Sequence, residues 1–265
     1  MYSLEDKPSE TKVRKFLKNL LFGAHFFCPE CGSRKVLAYG ERYRCRKCRI
    51  KFSLLSHTWL ANTKIDLAKL WVVLWCWTAE IPVRQAERIT GLSNKAVRKW
   101  YLDFREHLPQ DEVVLEKIVQ LDEAYFGGFQ KTTLLMAKEK GARKLAYEVL
   151  NHEPARIDAI SFVKKHLGEE VILCTDGSSI YDQIDSHSSV KHQVDIHKAW
   201  EYSKTSEIEG VFGNLRTFIR RMYHHVRMKN LEKIVGEFCY RFCHPEMFGN
   251  PWYYLQIALR LVPTG

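Results

Sequence analysis

The chain has 265 residues, of which 46% are hydrophobic, 12% aromatic and 27% charged, so it can bury a substantial core and global disorder is excluded. Its formal net charge of +10 is uneven, because residues 1–110 contain 21 Lys/Arg and 10 Asp/Glu, whereas residues 111–265 contain 20 and 21. A basic N-terminal part joined to a nearly neutral body indicates a protein that binds a polyanion, although a basic domain without a ligand has the same balance.

The first segment gives no sign of export or of a membrane anchor. The N-terminus, MYSLEDKPSE, has no apolar signal core, and residues 1–25 are predicted to be a helical lead-in. The longest strongly apolar run, residues 70–79, is too short to cross a bilayer and is predicted to be a buried helix. We therefore expect no membrane partner and a location in the cytoplasm at the bacterial nucleoid, or in the nucleus of a eukaryote.

Residues 26–55 are predicted to form a zinc ribbon. Two C-x-x-C pairs, separated by residues 32–44, supply four thiolates for one tetrahedral structural Zn²⁺: Cys28, Cys31, Cys45 and Cys48. Metal binding would supply most of the folding free energy of so short a segment. A redox role would need a thioredoxin-like context, which is absent. Cations surround the second pair and could contact phosphates or form a solvated face: Arg42, Arg44, Arg46, Lys47, Arg49 and Lys51.

Residues 56–110 are predicted to form a helix-turn-helix DNA-binding domain. An apolar helix at residues 65–79 precedes two helices over residues 82–107, with Gly91 favouring the helix end and Ser93 the next N-cap. The second of these helices carries four cations for duplex DNA: Lys95, Arg98, Lys99 and Arg105. This layout is typical of a basic recognition helix, although other three-helix scaffolds produce a similar pattern.

Beyond a boundary near residue 110, residues 111–265 alternate between strand and helix. Strands are predicted at residues 117–123, 133–137, 144–151, 171–176 and 190–196. Helices are predicted at residues 155–167, 206–224, 228–243 and 251–261. This order predicts an α/β domain with a mixed sheet covered by helices.

Two of these strands end in an aspartate. Alternation places Gln120 and Asp122 on one face of the first strand, and Cys174 and Asp176 on one face of the fourth. Neighbouring carboxylates repel each other unless cations lie between them, and hard divalent ions prefer oxygen ligands. The two strands therefore predict a site for divalent metal.

The helix at residues 206–224 supplies a third acid. Its apolar residues recur at helical spacing, and Glu209, Arg216 and Arg220 lie along one edge of the apolar stripe, with Glu207 on the opposite edge. Glu209 is the favoured third ligand and Glu207 the weaker candidate, while the arginines suit a nucleic-acid backbone. An amphipathic helix with intrahelical salt bridges is the alternative for this segment alone. Two metal ions could activate an attacking oxygen and stabilise a leaving oxygen at phosphorus.

The order of a zinc ribbon, a helix-turn-helix and the motifs LDEAYFGG, TDG…Y, IEGVFGNLR and RMYHHV…EFCYRF resembles the DDE transposases of the insertion-sequence and Merlin-like group, from about residue 26 to 248. The resemblance implies an RNase H-like catalytic domain at residues 111–265. It implies an acidic triad of Asp122, Asp176 and Glu209 that holds two Mg²⁺ ions, with Mn²⁺ as an alternative, and Arg216 as an accompanying basic residue.

The resemblance also implies what the protein does with DNA. The expected activity is hydrolysis at element ends, followed by attack of the freed 3′-hydroxyl on target DNA. Terminal inverted repeats are the expected partner, bound by a homodimer or larger assembly. Lys204-Thr205-Ser206 stands where many members read H-T-N, and the basic insert after the first motif is short. Two alternatives stay open: a nuclease of the same fold without strand transfer, and a catalytically inactive DNA-binding regulator.

Overall fold

The computed structural model describes residues 4–110, 112–127, 132–194, 205–224 and 226–261. Gly128 and Lys204 from the sequence motifs, and residues 195–196 of the last predicted strand, lie outside these ranges. The chain divides into two compact units, one made of Met1–Pro109 with Glu246–Gly265 and the other of Gln110–Pro245. Each unit is described separately.

The elements follow one another in the predicted order. The described helices are α1 (Glu10–Phe22), α2 (Leu67–Thr78), α3 (Val83–Thr90), α4 (Asn94–Glu106), α5 (Arg156–His166), α6 (Ile184–His187), α7 (Ser206–Tyr223), α8 (Leu231–Cys243) and α9 (Pro251–Ala258). The described strands are β1 (Val36–Tyr39), β2 (Arg42–Cys45), β3 (Lys51–Phe52), β4 (Ile118–Phe126), β5 (Thr132–Glu139), β6 (Leu145–Leu150), β7 (Val171–Thr175) and β8 (Val190–Val194).

In the first unit, β1, β2 and β3 form an antiparallel three-stranded sheet. Its inner face carries Tyr43 and Phe52, whose rings pack with Phe26 at centroid distances of 4.4 and 5.9 Å. The residue after each C-x-x-C pair has a left-handed backbone, Gly32 at φ +69° and Arg49 at φ +63°. Both turns therefore have the same geometry, but only the first uses glycine, which adopts it without strain.

Helices α3 and α4 are joined by the short segment of Gly91, Leu92 and Ser93. Gly91 ends α3 in the left-handed conformation at φ +65°, and its N–H donates to Glu87 O at 2.9 Å. The hydroxyl oxygen of Ser93 accepts a hydrogen bond from Ala96 N at 3.3 Å and so caps α4. The residues predicted to end one helix and start the next therefore do so.

The described C-terminal residues 246–261, assigned with the catalytic domain by the sequence, pack instead with the first unit. Tyr254 of α9 is fully buried, and its hydroxyl donates to the carbonyl oxygen of Phe104 in α4 at 2.8 Å. Its ring lies 5.2 Å from that of Trp77 in α2. Buried aromatic area of this size favours a place in an aromatic core over exposure.

The second unit contains a five-stranded sheet in the order β6-β5-β4-β7-β8. Strand β4 pairs antiparallel with β5, which pairs antiparallel with β6, while β4, β7 and β8 are mutually parallel. This order and these directions are those of an RNase H-like sheet, which confirms the predicted fold class.

The two faces of this sheet have different partners. Val119, Leu121 and Leu173 lie in the core that α5 covers, together with Phe162 of that helix. Residues two apart in a strand share a face, so Gln120 and Asp122 point to the other side of the sheet. There α7 contacts β4 and β5, and α8 contacts β6.

Strand β5 is longer than predicted. The prediction ended at residue 137 because Lys138 and Glu139 follow, yet both are buried inside the strand. Lys138 forms an ion pair with Glu207, and Glu139 accepts from Glu116 N at 2.9 Å and pairs with Lys144 at 3.4 Å. Paired charges can be buried at lower cost than isolated ones, so the strand continues.

Candidate functional site

The four predicted thiolate ligands come together at the zinc ribbon. Their sulfur atoms lie within 4.8 Å of one another, with 3.6 Å between Cys28 and Cys48 and 3.6 Å between Cys31 and Cys45. A tetrahedral zinc ion with Zn–S distances of about 2.3 Å requires sulfur–sulfur distances of about 3.8 Å. The cluster therefore fits Zn²⁺, and among the described residues it is the one set of three or more ligands drawn together closely enough to hold an ion.

The pKa values of the buried thiols Cys28 and Cys45 are shifted in opposite directions. Burial raises the pKa of Cys28 to about 12. Burial acts in the same direction on Cys45, but hydrogen bonds from the backbone at Cys48 and Lys47 outweigh it and lower the pKa of Cys45 to about 6. The N–H of Lys47 donates to Cys45 Sγ at 3.3 Å. Since the thiolate is the metal-binding form, these donors favour ligation.

The outer face of the ribbon combines cations with exposed apolar side chains. The strand register places Leu37 beside Arg44, Arg44 beside Lys51, and Tyr39 beside Arg42. Tyr39 is 55% exposed, and Lys51 Nζ lies 4.5 Å from the centre of its ring. We call these five residues the basic ribbon face.

The predicted cations of α4 lie on its outer side. Lys95, Arg98 and Lys99 are exposed, and Arg105 is half-buried in the last turn. Lys99 Nζ contacts Asp103 at 2.8 Å, and Arg98 Nε donates to Asn94 Oδ1 at 2.8 Å. These side chains are therefore separate from the buried face of the helix and available to a polyanion.

Each of the two predicted aspartates lies two residues beyond the last pair of the β4–β7 ladder. Ile118 pairs with Ile172 and Gln120 with Cys174 in the parallel β4–β7 ladder, so the next residues on the same face are Asp122 and Asp176. Both side chains are half-buried.

Helix α7 begins over the same face. The backbone N–H of Ile208 donates to Gln120 Oε1 at 2.9 Å, and Gln120 is fully buried. This bond fixes the first turn of α7 two residues from Asp122 along β4. Glu209 follows Ile208 directly and is exposed.

Asp176 and Glu209 are near enough to Asp122 to affect its pKa. The pKa of Asp122 is raised from 3.8 to about 7, first by burial and then by the negative charges of Glu123, Asp176 and Glu209. The N–H of Glu123 donates to Asp122 Oδ1 at 2.8 Å and acts in the opposite direction. Charges of one sign gathered in a half-buried place are what a site for divalent cations requires.

Glu207, the weaker candidate for the third ligand, is engaged elsewhere. Its Oε2 pairs with Lys138 and accepts from Gly141 N at 3.2 Å, and the pKa of Glu207 is lowered chiefly by Lys138. It anchors α7 to β5. Arg216 and Arg220, the predicted phosphate contacts, are exposed on α7 beyond Glu209.

Sequence reasoning missed the partners that surround these acids. Tyr181 OH donates to Glu123 Oε2, and the pKa of Glu123 is raised, first by burial. Both residues belong to the sequence motifs, Glu123 to LDEAYFGG and Tyr181 to TDG…Y. Their pairing joins residues 58 apart in sequence, which no local pattern reveals.

Among the described residues, no helix is long and apolar enough to cross a membrane.

Two family models match the chain. One, described as an ISXO2-like transposase domain, matches residues 114–242. The other, described as a transposase zinc-ribbon domain, matches residues 8–51. No curated protein matches.

Several solved structures are similar at low identity. A chain of a simian T-cell lymphotropic virus intasome in complex with PP2A regulatory subunit B56 gamma is 12% identical, with a TM-score of 0.37, over 64% of this chain and 67% of that one. The HTLV-2 integrase catalytic core domain in complex with magnesium is 14% identical, with a TM-score of 0.32, over 49% and 88%. The Mos1 transposase catalytic domain with raltegravir and Mn is 14% identical, with a TM-score of 0.31, over 72% and 96%.

Proposed function

Because the chain belongs to the DDE transposases of the insertion-sequence group, we propose that it cleaves and joins DNA strands with Asp122, Asp176 and Glu209 as the carboxylates that bind Mg²⁺. The proposal is supported chiefly by the surroundings of Asp122, whose pKa is raised first by burial and then by the negative charges of Glu123, Asp176 and Glu209. All three donors are carboxylate oxygens, which suit Mg²⁺ or Mn²⁺.

In the second unit, three acids are proposed to bind metal and two arginines to contact the DNA backbone. Asp122, inside β4, and Asp176, directly after β7, would hold the metal, and Glu209 would complete the set from α7. Two bound ions would supply Lewis-acid activation of the scissile phosphate and of the attacking oxygen. Arg216 and Arg220, exposed on the same helix, contact the phosphate backbone.

Two displacements at phosphorus make up the proposed reaction. Water first attacks a phosphodiester at the element end, and the freed 3′-hydroxyl is the leaving group. That hydroxyl then attacks a phosphodiester of target DNA, whose own 3′-oxygen leaves as the new bond forms. Each step exchanges one P–O bond for another, so no oxidant or energy source is needed.

Cleavage of DNA that carries the element's terminal repeats tests this assignment. In Mg²⁺ the wild type should nick this DNA, whereas Asp122→Asn, Asp176→Asn and Glu209→Gln should reduce the rate by at least about a thousandfold, the size of effect seen when key charge-stabilising groups are lost. Glu207→Gln is the matched control, since Glu207 pairs with Lys138, and it should retain activity within about tenfold. Cleavage by Asp122→Asn at the wild-type rate would refute the triad.

Joined products distinguish the alternatives. A transposase yields strands covalently linked to target DNA, whereas a nuclease of the same fold yields nicks alone. A DNA-binding regulator would act without metal, and a variant with alanine at all three acids would keep its full effect.

We further propose that the first unit binds duplex DNA through α4 and the basic ribbon face, with Zn²⁺ stabilising the ribbon. The exposed cations of α4 support this, as do Arg42 and Arg44 on β2 and Lys51, which pairs with Arg44 from β3. The logarithm of affinity should fall linearly with the logarithm of salt concentration, and each phosphate contact removed should lower the slope by about 0.9.

Fluorescence anisotropy with labelled duplex measures that slope. Arg98→Gln and Arg44→Gln test the two surfaces separately, and Lys165→Gln, whose Nζ pairs with Glu148 at 2.8 Å in the second unit, is the control. Equal slopes for the wild type and Arg98→Gln would remove α4 from the interface, and the same result for Arg44→Gln would remove the ribbon face.

A further inference from the structure

The backbone ladder between β4 and β7 ends before it reaches the acids. Its last pair is Gln120 with Cys174, two residues short of Asp122 and Asp176. Asp122 is still held by the β4–β5 ladder, opposite Met136, whereas Asp176 lies beyond the last residue of β7. Because the two aspartates repel each other when ionised, the position of Asp176 relative to Asp122 must be maintained by contacts other than the β4–β7 ladder.

One side-chain bond links β4 to the segment after β7 beyond the ladder. Tyr181 OH donates to the carboxylate of Glu123, the residue after Asp122. Tyr181 is fully buried in the core of the sheet's other face. It therefore ties the segment that follows Asp176 to β4 from the face opposite Asp122.

The same tyrosine is closely connected to Asp176. The N–H of Ser178 donates to Asp176 Oδ1 at 3.0 Å, and the N–H of Tyr181 donates to Ser178 O at 3.1 Å. Residues 176–181 are thus a folded turn whose two ends are the metal-binding candidate and the buried tyrosine. Fixing Tyr181 against Glu123 also fixes the turn that carries Asp176.

We propose that Glu123 and Tyr181 are a positioning pair that sets the separation of Asp122 and Asp176 and so determines how tightly the site binds divalent metal. The inference rests on the proposed function, since it requires those aspartates to be ligands. Glu123 itself does not coordinate the ion, because strand alternation places it on the other face and Tyr181 occupies its carboxylate.

Metal binding without DNA tests the pair. Electron paramagnetic resonance counts free Mn²⁺ as the zinc-loaded full chain is titrated, so the readout is independent of catalysis. Tyr181→Phe removes one hydroxyl and keeps the buried ring. It should weaken Mn²⁺ binding by about 10- to 100-fold, the range for loss of a partner that orients metal ligands.

The chain offers a matched control in Tyr223. Its hydroxyl also donates to a buried glutamate, Glu237, at 2.6 Å, but in the contact between α7 and α8. Tyr223→Phe therefore removes the same kind of bond and should leave Mn²⁺ affinity unchanged. Equal weakening in both tyrosine variants would overturn the proposal, because the effect would then be general loss of stability.

Further outcomes separate this inference from the proposed function. Wild-type affinity in Tyr181→Phe, with affinity lost in Asp122→Asn, would overturn the positioning pair alone. Equal affinity in Asp122→Asn and the wild type would overturn both. Glu123→Gln keeps an oxygen that accepts from Tyr181 and should lose less affinity than Asp122→Asn, whereas an equal loss would make Glu123 a ligand and overturn its positioning role.

Discussion

Replacing Asp122 with asparagine should stabilise the metal-free protein at alkaline pH while it removes cleavage. The carboxyl has a pKa of about 7 in the folded chain against an ordinary value of 3.8. Between these values the unfolded chain has released the proton and the folded chain retains it. Stability is therefore unaffected below about pH 4, falls as the pH rises toward about 7, and remains lower above that.

The size of this effect follows from the shift. About three pKa units at about 1.4 kcal/mol each give about 4 kcal/mol at pH 8, as an upper figure. Asparagine carries no charge to desolvate and is not repelled by Glu123, Asp176 or Glu209. Asp122→Asn should therefore recover most of this free energy at pH 8 and almost none at pH 4.

The difference in unfolding free energy can be measured by urea titration. Pulsed hydrogen exchange and mass spectrometry of peptides from β4 and β7 report the fraction unfolded at each urea concentration. This assay reports on the second unit, whereas six of the seven tryptophans lie in the first unit or its C-terminal segment. The protein should be zinc-loaded and free of Mg²⁺, without a strong chelator. Asp185→Asn, at an exposed position of α6, is the control and should change stability by less than about 0.5 kcal/mol.

Two results would refute the reasoning. One is an Asp122→Asn variant less stable than the wild type at pH 8, and the other is an equal difference at pH 4 and pH 8. Addition of Mg²⁺ supplies a further check, because a ligand that binds only the folded state stabilises it. Mg²⁺ should stabilise the wild type and leave Asp122→Asn unchanged.

Three other substitutions have defined outcomes. Arg49→Gly should tighten zinc binding in a competition assay by about fivefold, since glycine relieves about 1 kcal/mol of left-handed strain at φ +63°; no gain would mean that the turn relaxes around arginine. Glu237→Ala should destabilise the second unit by about 3–5 kcal/mol in calorimetry, because Arg241, 8% exposed and bonded to Glu237 Oε1 at 2.8 Å, would lose this carboxylate at a buried position; a loss under 1 kcal/mol would contradict this. Ser93→Ala should cost the first unit about 1 kcal/mol in urea unfolding followed by tryptophan fluorescence, whereas Ser93→Asn, which retains a cap, should cost little.

Local patterns predicted the elements because the chemistry of these segments is local. Gly91 and Ser93 act through their own backbone and neighbouring amides, so their roles follow from residue type. The alternation of Gln120 and Asp122 fixes which side chains share a face, whatever packs against it. The spacing of the cysteines likewise defines a ribbon before any fold is known.

What the sequence did not predict depends on distant partners. Strand β5 was ended too early because Lys138 is a poor strand-interior residue unless Glu207, 69 positions later, neutralises it. The place of α9 is set by Trp77 and Phe104, which precede it by most of the chain length. Pairing of Glu123 with Tyr181 is of the same kind.

The start of α7 has an electrostatic consequence for the empty cluster of acids. The first amide groups of a helix carry a partial positive charge of about half a unit, and the amide of Ile208 already points at Gln120 in the sheet. The negative charge of Glu209 in the first turn of α7 is therefore partly compensated by the positive end of the helix dipole. A third carboxylate delivered from a strand would bring no such dipole, so this helix end partly offsets the repulsion that the charge of Glu209 adds near Asp122.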